Sequence, residues 1–322
     1  KSIEKLFIIY KNLRSLWHCG WILILLIPFC TWCFASTQAK IAVIFSSDID
    51  PYQQSFKGFK AFFAEESTNP LVSEYYLERQ PPGLIIRQIL TENPNLVLAI
   101  GPQATMLADK EINKIPLIFS MILSYREFNN SNFTGVYLDV PARIKLEYIK
   151  KILPDTERIG VIYSSTSDPV FNKILIECNE MKYKLISRKV NSGKEFKDAF
   201  KDISEVIDSF LMIPDTRVYF SQSVKYLLLE GIRKKLPVIG LSSSYTKAGA
   251  FASLESDYYE SGKKAGTIAL RIINGTKPIS IEPIEPIEPD HIKLSINLLV
   301  AERLGILIPS HIIEESSEVF GK

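Results

Sequence analysis

Cysteine and histidine are scarce in this chain of 322 residues, with four of the first and three of the second. Cys19, Cys30 and Cys33 fall in the N-terminal stretch, which leaves Cys178 alone in the body of the sequence. A lone cysteine makes no internal disulfide, and no Cys/His metal spacing follows it. The spacing Cys30-Thr31-Trp32-Cys33 lies within a hydrophobic leader. A metal site is therefore not expected, and Cys178 reads as a thiol on a helix face. The histidines are His18, His291 and His311. A Ser/His/Asp triad would need one of the last two beside a strand-end serine, and no glycine-flanked nucleophile elbow is present. No Walker A run occurs, because Gly262-Lys263-Lys264 lacks the preceding glycine spacing and falls inside a predicted helix. No G-x-G-x-x-G follows the first strand, so a dinucleotide site has no support. Neither sign of charge is in excess, with 38 Lys and Arg against 36 Asp and Glu, so nothing points to nucleic acid. These absences speak against an enzyme and against a cofactor.

What the chain does have is one unit repeated along it: a short apolar run, a cluster of small polar residues, then a helical stretch. Ile41–Phe45 ends in Ser46-Ser47-Asp48, and Leu96–Ile100 ends in Gly101-Pro102-Gln103. Ile159–Tyr163 ends in Ser164-Ser165-Thr166, and Phe210–Ile213 in Pro214-Asp215-Thr216. Val238–Leu241 ends in Ser242-Ser243-Ser244. Bounded apolar runs alternating with helices indicate βαβ units and a parallel sheet. The units fall into two series of about a hundred residues each, which predicts an α/β protein with two Rossmann-like lobes. The first series has strands near 41–45, 72–77, 96–100 and 117–119, and the second near 158–163, 184–190, 210–213 and 238–241. Ligands of open parallel sheets bind outside the carboxyl ends of the strands, so the polar clusters mark the expected binding region.

Two further segments stand apart. Lys1, Lys5, Lys11 and Arg14 precede the apolar run Trp21–Phe29, and Cys33-Phe34-Ala35 offers a small-residue cut site. This pattern predicts a signal peptide over residues 1–35 and a periplasmic destination. The alternative is an uncleaved anchor, since Leu16–Ala35, at about 20 residues, is long enough to span a bilayer. Glu282–Pro289 reads EPIEPIEP, which favours an extended polyproline-type segment. It serves either as a stiff connection between lobes or as a docking strip for a partner.

The second half resembles a known family. Leu153-Pro154-Asp155-Thr156-Glu157-Arg158-Ile159-Gly160-Val161-Ile162-Tyr163 is similar to the "LPxxxRIGVLY" segment of ABC-transporter substrate-binding proteins of the tryptophan/tyrosine type. Thr134-Gly135-Val136, Leu236-Pro237-Val238-Ile239-Gly240 and Lys247-Ala248-Gly249-Ala250-Phe251-Ala252-Ser253 resemble further segments in order. So do Asp257-Tyr258 with Gly262–Gly266, Ile273–Pro278, and Ser295-Ile296-Asn297 with Ala301–Pro309. The resemblance implies the type I periplasmic-binding-protein fold, two lobes closing on a ligand like a Venus flytrap. Carried onto this chain, lobe one would be 40–137 plus 249–284, and lobe two 138–248 plus 285–322. It implies a monomeric solute-binding protein that meets a small-molecule ligand, an amino acid among the candidates, and an ABC permease. A ligand-sensing module for a membrane receptor or histidine kinase is the alternative. Two positions depart from the family: Pro102 replaces a hydroxyl residue, and Ser120-Met121-Ile122-Leu123 replaces an Asp-Pro pair. Both line the expected cleft, and they remove the family's guidance on the solute.

An amino-acid-like ligand carries two opposite charges. Its carboxylate suits hydroxyl donors and helix starts, and its ammonium suits an acid with aromatic support. Candidate contacts on lobe one are Ser46, Ser47, Gln103, Thr105 and Ser120. On lobe two they are Tyr163, Ser165, Ser243 and Tyr245, with Asp215 the foremost acid. A serine or aspartate after a strand is equally a helix cap or turn former, so each of these residues keeps a structural alternative.

Overall fold

The structure, a computed structural model, describes residues 38–123, 132–276 and 291–321. The leader and the EPIEPIEP repeat both lie outside the described residues.

Strands β1 (Lys40–Phe45), β2 (Leu71–Tyr76), β3 (Leu96–Ile100), β4 (Leu117–Ile122) and β5 (Phe133–Tyr137) form a parallel sheet in the order β2-β1-β3-β4-β5. Strand β1 explains why its sequence is apolar without alternation. Ile41, Val43 and Phe45 enter one apolar cluster, while Ala42 and Ile44 enter another on the opposite face. A strand covered on both faces needs apolar side chains at every position. Helix α1 (Asp50–Glu65) covers the first face with Phe56, Phe59 and Phe63 at helical spacing. Pro51 stands in its first turn, where a missing N–H breaks no helical bond. Helices α2 (Pro82–Glu92) and α3 (Pro102–Glu111) cover the other face through Ile85, Ile89, Ala104 and Ala108.

The second sheet contains β6 (Arg158–Tyr163), β7 (Lys184–Lys189), β8 (Ser209–Leu211), β9 (Val238–Gly240), β10 (Ala252–Ser256), β11 (Ile292–Asn297) and β12 (Glu318–Phe320). Its order is β12-β11-β10-β9-β8-β6-β7. Read from β7, it repeats the order of the first sheet and then adds β11 and β12. Helices α4 (Ala142–Ile152) and α5 (Asp168–Glu180) pack on one face, through Leu146, Ile149, Phe171 and Ile174. Helices α6 (Phe196–Ser204) and α7 (Ser221–Arg233) pack on the other, through Phe196, Phe200 and Leu227, and the short helix α8 (Ser243–Ala248) follows β9.

One expectation needs correction. The segment from residue 249 was assigned to lobe one, yet β10 pairs with β9 in parallel and with β11 antiparallel inside the second sheet. The chain returns to lobe one only at Asp257, which accepts hydrogen bonds from Tyr259 and Glu260 N–H and so opens α9 (Tyr258–Ile273). The expected parallel pairing holds elsewhere in the sheet, which carries one antiparallel pairing among the described residues. Strand β11 follows the excursion through α9, and it runs opposite to β10. Helix α9 lies on α1, and its Ala265, Ile268 and Ala269 join the apolar cluster of β1. Among the described residues the chain thus crosses between lobes after β5 and after β10. The Ser256 hydroxyl donates to the Leu138 carbonyl at 2.8 Å, tying these two crossings together.

Candidate functional site

A cavity of about 700 Å³ lies at the carboxyl ends of both sheets. Its size is that of a site for a small organic molecule. Lobe one supplies Pro51 and Tyr52 after β1, Pro102 after β3, and Met121, Ile122 and Leu123 at the end of β4. Lobe two supplies Thr166 after β6, Met212, Pro214 and Thr216 after β8, and Leu241, Ser242 and Tyr245 after β9. The crossings contribute Leu138, Asp139 and Val140 from one, and Glu255, Ser256 and Tyr258 from the other.

Four of the five polar clusters singled out from the sequence contribute to this lining and Ser46-Ser47-Asp48 does not, but most of the candidate side chains do different work. Tyr245 lines the cavity, and burial raises the pKa of its phenol above the ordinary value. The Ser46 hydroxyl is buried and accepts from the Ala104 N–H at 2.9 Å, holding the start of α3 beside β1. The Thr105 hydroxyl donates to the Gly101 carbonyl at 2.8 Å within the same turn. Ser120 is buried behind the wall, its hydroxyl 3.2 Å from that of Ser55. Tyr163 stacks on Phe171 with ring centroids 3.9 Å apart, away from the cavity lining. Ser47, Gln103 and Ser165 also lie outside the lining, and Gln103 and Ser165 are exposed. Ser243 reaches the site indirectly, since its N–H donates to Glu255 Oε1 at 3.2 Å.

Asp215 is fully engaged within lobe two. It is buried, and its carboxylate accepts from the Ser164 N–H and the Ser164 hydroxyl, each at 2.8 Å. It also accepts from the Ser167 hydroxyl, the Arg217 N–H at 3.0 Å and the Val218 N–H at 3.1 Å. Burial raises its pKa, but the donors from Ser167, Ser164 and Arg217 outweigh that and hold it below the usual carboxylate range. A carboxylate with this many donors fastens the β6 and β8 turns together.

Sequence reasoning missed the charged groups of the cavity wall. Lys145 is 5% exposed, and its ammonium donates to Asp139 Oδ1 at 2.5 Å. Glu255 accepts from the Tyr258 hydroxyl at 2.7 Å, and burial followed by that bond raises the phenol well above its ordinary pKa. Lys145 had a signal: with Ile149 and Ile152 it forms the buried stripe of α4 at helical spacing. Asp139 had only the ordinary look of a residue before Val140-Pro141. Met121, one of the departures from the family, has φ +63° where the β4–β5 register shifts. A non-glycine residue there costs about 1–3 kcal/mol, and strain of this kind gathers at binding walls. Among the described residues no group of three His, Cys, Asp or Glu side chains is placed to hold a metal.

Comparison with known proteins gives a consistent picture. Residues 81–320 match the family profile described as ABC transporter substrate binding protein. A tyrosine-binding protein of Clostridioides difficile (strain R20291) is 22% identical over 232 residues, which cover 67% of this chain and 65% of that protein. The chain thus spans slightly less than two thirds of this relative. A ligand-free, open substrate-binding protein with adhesive properties from Clostridium difficile superposes with a TM-score of 0.70 at 19% identity, covering 88% of this chain and 100% of that one. An ABC domain from Streptococcus pneumonia in complex with L-Trp gives a TM-score of 0.62 at 20% identity, with coverage of 88% and 100%.

Proposed function

The chain belongs to the family of ABC transporter substrate-binding proteins, and from that we propose that it captures an amino acid with a bulky apolar side chain between its lobes and delivers it to an importer's permease. The observation that carries this reading is the cavity of about 700 Å³, walled by both lobes and by the two crossings. Its walls are chiefly aliphatic, from Met121, Leu138, Met212, Ile239 and Leu254, with a few charged groups among them. Such a lining suits an apolar body bearing a small polar head. A sugar would instead need many paired donors and acceptors. Names among the relatives point the same way, with tyrosine and L-Trp as ligands of other members.

The chemistry asked of the chain is selective binding without transformation. Capture would draw the lobes together about the crossings at Leu138–Val140 and Ser256–Asp257, a hinge motion of few residues. The closed form would present both lobes to the permease outside the cytoplasm, with the N-terminal leader directing export or tethering the protein. The test is a thermal-shift screen of the twenty L-amino acids and a set of simple sugars. An apolar amino acid at about 100 times its Kd should add about 2.7 kcal/mol of stability. Stabilisation by sugars alone, or by nothing in the screen, would overturn the reading.

A further inference from the structure

Resting on that reading, we propose that the Lys145–Asp139 pair is the charge-reading element of the cavity, and that it selects a zwitterion by exchanging partners with it. The Lys145 ammonium would take the ligand's carboxylate, and the Asp139 carboxylate would take its ammonium.

Three observations carry this assignment. First, Lys145 is buried and Asp139 half-buried, with side-chain exposures of 6% and 22%, yet both residues line the cavity. A buried ion pair adds little to stability, because loss of hydration offsets most of the attraction. A methionine or leucine would fill the same stripe of α4 at no such cost. Second, an ammonium has three donors, and among the described residues that of Lys145 makes one hydrogen bond, to Asp139. It therefore has donors left for a ligand carboxylate. Lys145 also stands in the first turns of α4, the end at which the helix dipole disfavours a cation and favours an anion. Third, the remaining charged wall residue, Glu255, is already held by the Tyr258 hydroxyl and the Ser243 N–H. The adaptable charges are thus one positive and one negative, joined to each other.

A zwitterion satisfies both members of that pair at once. A lone carboxylate would engage Lys145 and leave the half-buried Asp139 without a cation. A lone amine would do the reverse. Breaking one side of a buried pair in this way is strongly unfavourable. Selectivity follows from the penalty on the wrong ligand as much as from attraction to the right one. The aliphatic walls would then accept the side chain with little discrimination by shape.

The experiment uses isothermal titration of the folded protein with leucine, methionine, phenylalanine, tyrosine and tryptophan, each compared with its carboxamide and its decarboxylated amine. The wild type should bind the best acid at least 100-fold more tightly than its amide or amine. Lys145→Met should weaken the acid at least 30-fold and bring acid and amide within a few-fold of each other. The double variant Lys145→Met with Asp139→Asn leaves no buried charge uncompensated, so it guards against loss of fold, and thermal melting checks it. It should lose the acid as completely. Wild-type binding of the amide within threefold of the acid would overturn the assignment, as would acid binding unchanged in a folded double variant. Silence of the wild type towards all five acids would overturn this assignment and the amino-acid reading together. Binding that survives the substitutions would overturn this assignment alone.

Discussion

At the scale of single residues, hydroxyls and acids after strands divide into those that build the rim and those that face the cavity. Asp215 belongs to the first kind. Its folded pKa lies below the unfolded value of about 3.9, so its contribution is present at neutral pH and is lost as pH falls through the folded value. Asp215→Asn should destabilise the fold by about 3 kcal/mol at pH 7, in urea unfolding followed by circular dichroism. The gap between wild type and variant should be smaller at pH 3 than at pH 7. An equal gap at both pH values would mean the charge is not what Ser164 and Ser167 hold. The polar cluster around Asp215 was plain in the sequence, but the direction of its side chain was not. One residue's difference separates Asp215, turned into the protein, from Thr216, turned into the cavity. Strand-end position fixes the neighbourhood and leaves orientation to the partners available. Lys145 was hidden for the converse reason, because a lysine in a helix reads as solvent-facing until its stripe-mates are considered.

At the scale of elements, the joint between α1 and α9 depends on bare backbone. A Cβ added at Gly262 would stand 1.7 Å from the Ser55 carbonyl oxygen, and one at Gly58 would stand 1.9 Å from that of Tyr259. Neither oxygen is the tip of a flexible side chain, so the helices would have to separate. Gly262→Ala should cost about 3 kcal/mol in urea unfolding. Gly58→Ala should behave alike, and the double variant should cost less than the sum, because one separation relieves both clashes. Additive costs would mean the two glycines serve separate contacts. Strands β1, β3 and β6 were readable because burial on both faces demands an uninterrupted apolar run. The membership of β10 was not readable. Ala252–Ser256, with two serines and a glutamate among its five residues, carries no mark of either sheet, and only its pairing with β9 and β11 assigns it.

At the scale of the whole molecule, two sheets of like order face a common cavity with their carboxyl ends. Solution scattering should show a smaller radius of gyration on saturation with an amino acid that stabilises the protein, together with a raised melting temperature. An unchanged radius at saturation would indicate a rigid cleft and a different mode of delivery. The sequence by itself determined the α/β class, the two lobes, and the band of strand ends where a ligand belongs, because periodicity and breakers are local signals. The tertiary structure alone decided which residues form the cavity wall and where the chain returns to its first lobe. Those outcomes depend on contacts between segments distant in sequence, such as Lys145 turned inward beside Asp139, and Ser256 bonded to Leu138 across 118 positions.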